Sequence, residues 1–241
     1  LTDVMLRGAK DITLFDTPLM LVKGTGLTPA QRVAKRTMDI VLCTVAMIPA
    51  APIMLLVAAA IKLEDGGPVF FKQKRLTRNG REFEILKFRS MIVDAEKYAG
   101  AVLATGDDPR ITKVGKFIRA TSIDELPQLV NILKGDMSII GPRPPLTYHP
   151  WPVEDYSEEQ FHMFDVRPGV TGWAQVNGRN TITWEEKFRY DVEYVDKMSL
   201  KMDIYILIKT VLNVLKQDGI NSGEANTMEK FRGTEKEEVK E

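Results

Sequence analysis

The longest pattern in the chain is an uninterrupted apolar run. No residue from Ile40 to Ile61 is charged, and the run reads IVLCTVAMIPAAPIMLLVAAAI. As a helix with a rise of about 1.5 Å per residue, it would be about 33 Å long, close to the roughly 30 Å hydrocarbon core of a bilayer. The pattern favours a membrane helix. The alternative is a buried helix of a soluble core, which rarely continues so far without a polar residue.

Prolines and flanking charges predict how this run meets the membrane. Pro49 and Pro52 lie near its middle, and each removes a helical N–H group, so a kink is expected there. Basic residues flank both ends, whereas a spanning helix favours one side. We therefore predict a re-entrant helix over residues 32–66 that enters and leaves one leaflet, with freed carbonyl groups satisfied near residues 51–52. A single straight span is the alternative, and Cys43 is expected to be a small packing residue. The flanking basic residues are Arg32, Lys35 and Arg36 before the run, and Lys62, Lys72, Lys74 and Arg75 after it.

Alternating and turn-forming residues predict the elements on either side of the run. Residues 1–31 are expected to be an N-terminal arm or the remnant of a preceding domain, with one strand in LFDTPLMLVK. After the run, VFFKQKR and EFEILKFRSM flank Asn79–Gly80, a strong hairpin signal. Residues 91–100 are predicted to form a surface helix.

The second half of the chain predicts mostly helices. Lys113, Lys116 and Arg119 recur every three residues opposite apolar positions, which indicates a basic amphipathic helix. Such a helix suits an anionic membrane surface, although a solvated face over an ordinary core gives the same pattern. Further elements are glycine- and proline-rich turns at 141–145 and 167–180, helices at 183–198 and 200–217, and a disordered tail at 234–241. The predicted fold class is α+β: a mostly helical monotopic membrane protein with interfacial amphipathic helices, a small β-hairpin and a main domain over 67–233.

Composition narrows the chemistry only slightly. The 241 residues contain 33 Lys and Arg against 33 Asp and Glu, so electrostatic arguments must be local, and we expect no nucleic-acid partner. A single cysteine excludes an internal disulfide framework. The two histidines lack metal-ligand spacing, which makes zinc chemistry improbable.

The candidate catalytic group is the acid pair Asp124 and Glu125 within TSIDELPQLVN. Ser122 followed three residues later by Glu125 matches a capping box, and Pro127 suits a first helical turn. A carboxylate at a helix start would stay ionised, and a phosphate would bind beside it. Adjacent Asp–Glu pairs are usually surface decoration, however, and capping alone explains Glu125.

Arginines in rigid surroundings strengthen the case for a phosphate site. Arg119 precedes the pair, Arg143 lies between prolines, and Arg167 and Arg179 lie in glycine-rich segments. An arginine held by Pro or Gly is positioned for bidentate phosphate contact. Each one alone is more typical of a salt bridge or a turn, but together beside a membrane helix they favour phosphate binding.

Four segments, in their order along the chain, resemble the monotopic bacterial sugar transferases, also called polyprenyl-phosphate phosphoglycosyl transferases. They are KRTMDIVLCTVAMIPAAPIMLL, KFRSM, IDELPQLVNILKGDMSIIGPRP and VRPGVTGWAQVNGRN. The resemblance covers about residues 32–232, and its specificity lies in the joint occurrence of these segments.

The resemblance implies roles for individual residues. The catalytic acid pair of the family falls on Asp124 and Glu125, and the helix-break proline on Pro52. Many members have serine before that proline, whereas this chain has Ala51, so a hydroxyl that would satisfy the broken helix is missing. The substrate- and phosphate-binding positions fall on Lys87, Arg119, Arg143, Arg179 and Asp191, beside Arg167 from the reasoning above.

The resemblance also implies a reaction. A UDP-sugar and a polyprenyl phosphate would react, with Mg²⁺ held at Asp124 and Glu125, at the cytoplasmic face of the bacterial inner membrane. Asp124 would attack the β-phosphorus and release UMP. Glu125 would hold metal or position groups, and a proton-transfer role is the second choice. The alternatives are an inactive membrane-docked scaffold and a glycosyltransferase that releases UDP. The sugar and the oligomeric state are left open, a homo-oligomer being possible.

Overall fold

The computed structural model describes residues 9–14, 17–22, 27–95, 108–148, 152–178 and 182–216. These residues are mostly helical with three two-stranded sheets, which confirms the α+β prediction in its coarse form. The strands are β1 (Ala9–Leu14), β2 (Thr17–Val22), β3 (Phe70–Leu76), β4 (Glu82–Phe88), β5 (Ser138–Ile140) and β6 (Gly169–Thr171). The α-helices are α1 (Pro29–Asp65), α2 (Lys113–Ala120), α3 (Gln128–Lys134), α4 (Glu158–Phe161), α5 (Trp173–Asn177), α6 (Trp184–Lys197) and α7 (Leu200–Lys216).

The apolar run forms part of α1, a single helix of 37 residues. Thr28 and Gln31 form a capping box at its start, and Gly66 ends it with a left-handed backbone (φ 70°). The backbone stays helical through Pro49 and Pro52, so no residue leaves the helix at the position of the predicted kink, and the kink itself stays a prediction. The neighbouring turns retain enough hydrogen bonds to carry the helix past two missing N–H groups.

Only one side of α1 is buried. Asp39, Cys43, Val57 and Ile61 are buried against the rest of the chain, and Cys43 has the packing role predicted for it. Only 17% of the most apolar 18-residue stretch is buried, which contradicts the alternative of a soluble core helix. By length and composition, α1 is the one helix among the described residues that is suited to cross a membrane. The exposed apolar residues of α1 include Val41, Val45, Ile48, Leu55, Leu56 and Leu63.

Both ends of α1 are held by the same body. Near its start, Lys35 Nζ lies 2.7 Å from Asp203 Oδ2 of α7, and Asp39 accepts hydrogen bonds from the Ser138 hydroxyl and the Ile139 N–H of β5. Near its end, the Glu64 carboxylate accepts from the first N–H groups of α2. Both ends of α1 are therefore anchored on the same body.

The predicted hairpin is confirmed. β3 and β4 pair antiparallel, joined by a tight turn in which Asn79 has φ 61°. The register places Phe71 opposite Lys87 and Arg75 opposite Phe83. Opposite residues in an antiparallel pair project from the same face, so Lys87 and Arg75 belong to one side of the hairpin.

The segment 167–180, for which the sequence predicts turns, is instead partly regular. It contains β6, which pairs parallel with β5, followed by α5. A Cβ on Gly169 would lie 2.1 Å from the Gly141 nitrogen, so glycine permits the close approach of the two strands. The glycines that suggested turns are there for this backbone contact.

Two further predictions are settled elsewhere in the chain. The helices at 183–198 and 200–217 are confirmed as α6 and α7. At the N-terminal end, two strands replace the single predicted one, because β1 supplies the pairing that β2 lacks alone. Most of the predicted helix at 91–100 and the whole tail at 234–241 lie outside the described residues.

Candidate functional site

The acid pair lies in a short connection between two helices. α2 ends at Ala120, Ile123–Glu125 form a single 3-10 turn, and α3 begins at Gln128. The predicted capping box is wrong: Ser122 has a left-handed backbone (φ 56°), and its side chain makes no capping hydrogen bond. An N-cap residue typically has extended backbone, and Ser122 therefore does not cap a helix in the predicted way. Glu125 therefore takes no part in a capping box, and its side chain is available for other contacts.

Glu125 is held by two cations. Lys87 Nζ of β4 lies 2.7 Å from Glu125 Oε1, and Arg143 Nη2 of the loop after β5 lies 3.4 Å from the same oxygen. Burial alone would raise the pKa of Glu125, but Arg143 and Lys87 lower it to about 2. Glu125 is consequently ionised at neutral pH.

Asp124 is in a different electrostatic state. Burial raises its pKa above the ordinary aspartate value, and the charge of Glu125 adds to this effect. Lys87 and Arg119 act in the opposite direction and favour the carboxylate. Asp124 is thus a partly desolvated carboxylate among cations, the environment that suits a nucleophile.

Arg75 belongs to this site, although from the sequence it is only a charge flanking the apolar run. Its Nη1 donates to the Pro144 carbonyl oxygen (2.9 Å) and its Nη2 to Gln73 Oε1 (2.9 Å). Burial and then the charge of Arg143 lower its pKa to about 10. The sequence signal for its role is the alternation of β3, which places Arg75 on the Lys87 face of the hairpin.

Asp191 has no described contact with the acid pair. It is fully buried on α6, and neither carboxylate oxygen has a hydrogen-bond partner within the described part of the chain. Burial raises the pKa of Asp191, and the charge of Lys187, one turn earlier, acts in the opposite direction. Burial lowers the pKa of Lys187, and the charges of Arg143 and Arg75 lower it further. Asp191 is thus a buried carboxyl group beside Lys187, and none of its described contacts makes it a phosphate ligand.

The remaining predicted residues are not equivalent. Arg119, at the end of α2, is exposed and near enough to Asp124 to lower its pKa. Arg167 is elsewhere: its Nε donates to the Gly135 carbonyl oxygen at the end of α3 (2.8 Å), and none of its described contacts is with the acid pair. Arg179 lies outside the described residues.

The donor set meets the requirements of Mg²⁺ only together with a substrate. The described residues contain no group of three or more His, Cys, Asp or Glu side chains that would hold a metal ion alone. Mg²⁺ commonly takes one or two carboxylates, with substrate phosphates and water as its other ligands. Asp124 fits this pattern. Glu125 fits less well, because Oε1 already receives two cations.

Comparison with known proteins identifies the family of the chain. The sequence profile of the bacterial sugar transferases matches residues 30–217. The chain is 45% identical over 202 residues to the uncharacterized sugar transferase EpsL of Bacillus subtilis strain 168, covering 84% of this chain and 97% of EpsL. It is 40% identical over 211 residues to the UDP-glucose:undecaprenyl-phosphate glucose-1-phosphate transferase of Escherichia coli strain K12, covering 86% of this chain and 44% of that protein. It is 39% identical over 204 residues to the undecaprenyl-phosphate galactose phosphotransferase of Salmonella typhimurium, covering 79% of this chain and 42% of that protein.

The chain thus spans nearly all of EpsL but less than half of the two relatives whose names state a substrate. The matched region includes α1, the acid pair, Arg143 and Asp191. On the length of this match and its identity to EpsL, the chain belongs to the bacterial sugar transferase family.

Proposed function

We propose that the protein transfers a sugar 1-phosphate from a UDP-sugar to a polyprenyl phosphate and releases UMP. The observation that carries this proposal is the acid pair surrounded by cations, with Asp124 desolvated and Glu125 bound to Lys87 and Arg143. Relatives named as glucose-1-phosphate and galactose phosphotransferases acting on undecaprenyl phosphate support the substrate classes. The reaction would begin surface polysaccharide or glycoconjugate assembly at the cytoplasmic face of the bacterial inner membrane.

The first step forms a covalent intermediate. A carboxylate oxygen of Asp124 attacks the β-phosphorus of the UDP-sugar, and the bond from that phosphorus to the bridging oxygen breaks. The bridging oxygen leaves with UMP, and the sugar phosphate remains on Asp124 as an acyl phosphate. Arg119 and Arg143 stabilise the phosphoryl oxygens as charge develops on them.

The second step regenerates the carboxylate. An oxygen of the polyprenyl phosphate attacks the same phosphorus, the bond to Asp124 breaks, and a polyprenyl diphosphate sugar forms. A lipid phosphate is largely ionised at neutral pH, so this step needs no strong base. Glu125 is ionised but bound to two cations, which suits a role in holding Lys87 and Arg143 in place.

Magnesium fits the same chemistry. Asp124 would be its main protein ligand, with Glu125 nearby, and the diphosphate oxygens would complete much of its coordination. When bound, Mg²⁺ would neutralise charge on the diphosphate and on the phosphate of the departing UMP.

Isotope exchange tests the covalent step. Labelled UMP should enter the UDP-sugar pool without any lipid acceptor, and Asp124→Asn should abolish the exchange. Asp155→Asn, at an exposed position outside the site, is the matched control and should keep it. Full activity in Asp124→Asn would overturn the covalent scheme.

The nucleotide released distinguishes the alternatives. A UDP-releasing glycosyltransferase yields UDP, and an inactive scaffold yields neither nucleotide. A panel of UDP-sugars assayed for UMP with polyprenyl phosphate present therefore tests the reaction class and identifies the sugar together.

The membrane placement is a separate proposal. We infer that α1 enters the bilayer from one side and returns, because polar contacts at both of its ends reach the same body and its exposed side is apolar. Single cysteines at Ala30 and Pro68, in a Cys43→Ala background, should both react with an impermeant reagent from the cytoplasmic side of vesicles. Reaction from opposite sides would support the straight span instead.

A further inference from the structure

Arginines from separate segments converge on the end of α3. Arg36 of α1 donates from Nη1 and Nη2 to two carbonyl oxygens of the last α3 turn (2.7 and 3.0 Å). Arg167 donates to the Gly135 carbonyl oxygen, and Arg81 Nη2 lies 3.2 Å from Asp136 Oδ1. Together with Arg78 beside Arg81 in the hairpin turn, these residues form what we call the arginine cluster: Arg36, Arg78, Arg81 and Arg167.

The cluster holds more positive charge than its surroundings balance. Burial and then the charges of Arg36, Arg78 and Arg81 lower the pKa of Arg167, so the four guanidinium groups are near neighbours. Among the described residues, Asp136 pairs with the cluster, and the buried Asp39, which is hydrogen-bonded to Ser138, acts on Arg167 in the opposite direction to the arginines. Carbonyl oxygens at a helix C-terminus attract one or two cations, but they do not account for four.

Donor groups remain available in the cluster. Arg167 uses only Nε, and Arg81 uses only Nη2, in the contacts described. Arg78 is exposed and has no described side-chain partner. A guanidinium group carries five N–H donors in a planar fork that matches phosphate oxygens.

The position of the cluster indicates which anion it meets. Arg36 lies four residues before Ile40, where the apolar run begins. The Thr77 hydroxyl donates to the Asp136 carbonyl oxygen (2.6 Å), which fixes the hairpin turn at this same end of α1. The acid pair is near the opposite end of the hairpin, since Lys87 is close to the end of β4. The cluster is thus separate from the catalytic site.

We propose that the arginine cluster binds the phosphate of an anionic phospholipid headgroup. The proposal rests on the proposed function only for the placement of α1 in a membrane. A headgroup phosphate at the boundary of the hydrocarbon core would lie level with the N-terminal end of the apolar run.

The experiment measures the thermal unfolding of the full chain in a neutral detergent. Phosphatidylglycerol should raise the midpoint by about 2–5 °C over phosphatidylcholine, because a ligand that binds the folded state stabilises it. Arg78→Gln/Arg81→Gln should lose most of this increase. Lys72→Gln/Lys74→Gln, which removes two charges from exposed positions of β3, should retain it.

Additional measurements distinguish a lipid site from a site for soluble anions and from non-specific attraction. Arg78→Gln alone should lose part of the increase, which guards against a folding defect in the double variant. An equal increase with glycerol phosphate or inorganic phosphate would show a site for soluble anions and overturn the lipid proposal. Equal loss in the two double variants would show non-specific attraction and overturn it too. UMP release by the wild-type chain tests the proposed function independently of these outcomes.

Discussion

Two neighbouring carboxyl groups, Asp124 and Glu125, have pKa values that move in opposite directions. Both are desolvated, but Glu125 is close to Arg143 and Lys87, which lower its pKa to about 2. Asp124 has weaker compensation, so burial raises its pKa. In the proposed reaction, Glu125 would hold the cations in place and Asp124 would act as the nucleophile.

This difference predicts the pH dependence of UMP exchange. Protonation inactivates Asp124, and because its pKa is raised, activity should fall at a higher pH than for an ordinary aspartate. Lys87→Met removes a charge that lowers this pKa, so the acidic limb of the kcat/KM profile should move to higher pH. Glu125→Gln removes a charge that raises it, and the limb should move to lower pH. Shifts in the same direction in both variants would contradict the electrostatic assignment.

Arg75 should act as a positioning residue. It holds the Pro144 carbonyl oxygen, and its backbone bridges to Leu146, so it braces the loop that carries Arg143. Arg75→Met should reduce kcat/KM for the UDP-sugar by about 10- to 100-fold, as for other lost charge-assisted contacts near a reacting phosphate. Arg75→Lys restores the positive charge but not the pair of guanidinium donors, so it should recover only part of the lost kcat/KM.

Initial rates over a range of UDP-sugar concentrations measure this effect. A role limited to stability would reduce the amount of active protein and leave KM unchanged, whereas misplacement of Arg143 should raise KM. An unchanged KM in both variants would contradict the positioning role.

At the scale of elements, α1 depends on a buried polar network. Lys35 contacts Asp203, which is fully buried and also accepts a hydrogen bond from the Tyr194 hydroxyl (2.7 Å). Lys35→Met leaves that carboxylate without its cation and should lower the free energy of unfolding by about 3–5 kcal/mol. Lys35→Met/Asp203→Asn should lose less than the two single variants added together.

Chemical unfolding in detergent provides this measurement. Lys197→Met removes the cation of an exposed ion pair with Glu193 and serves as the control, with little change expected. An equally small effect of Lys35→Met would show that the network does not anchor α1.

The elements also show what the sequence could predict. Patterns contained within one element succeeded: the hairpin around Asn79–Gly80 and both C-terminal helices appear where the periodicity places them. Failures occurred where a contact distant in sequence decides the local structure. The pairing of β5 with β6 needs the glycine contact between Gly141 and Gly169, which no local pattern reveals. Likewise, Ser122 is a residue type that often caps helices, but its backbone is left-handed rather than extended.

In the candidate site, too, local patterns identify residues, and contacts distant in sequence decide where they lie. Motifs identify Asp124, Glu125 and Arg143, and the structure brings Lys87 to them across 38 positions of sequence. Arg167 has the flanking proline and glycine that suggested phosphate binding, yet the fold places it at the end of α3. Residue type and local rigidity therefore predict a capacity to bind phosphate but not the location where it is used.

At the scale of the whole molecule, the acid pair lies directly beside α1, the helix that we propose enters the membrane. Ile123 and Leu126 flank the pair and pack against a buried cluster that includes Val57 and Ile61 of α1. The other side of this stretch of α1 exposes Leu55 and Leu56, which are 72% and 73% exposed. A lipid phosphate held at the membrane surface would thus need little movement to reach Asp124, whereas a UDP-sugar arrives from water.

This arrangement predicts that the two chemical steps respond differently to a charged α1. Leu55→Asp/Leu56→Asp should keep UMP exchange in detergent, where no bilayer is required. It should reduce transfer to a long-chain polyprenyl phosphate in vesicles by at least about tenfold, because each aspartate costs roughly 2.5–3.5 kcal/mol at the centre of a membrane helix. Leu55→Ala/Leu56→Ala keeps the surface apolar and should retain most of the transfer. If the aspartate variant transferred normally in vesicles, the exposed side of α1 would not be immersed in lipid, and the acceptor would have to reach Asp124 by another route.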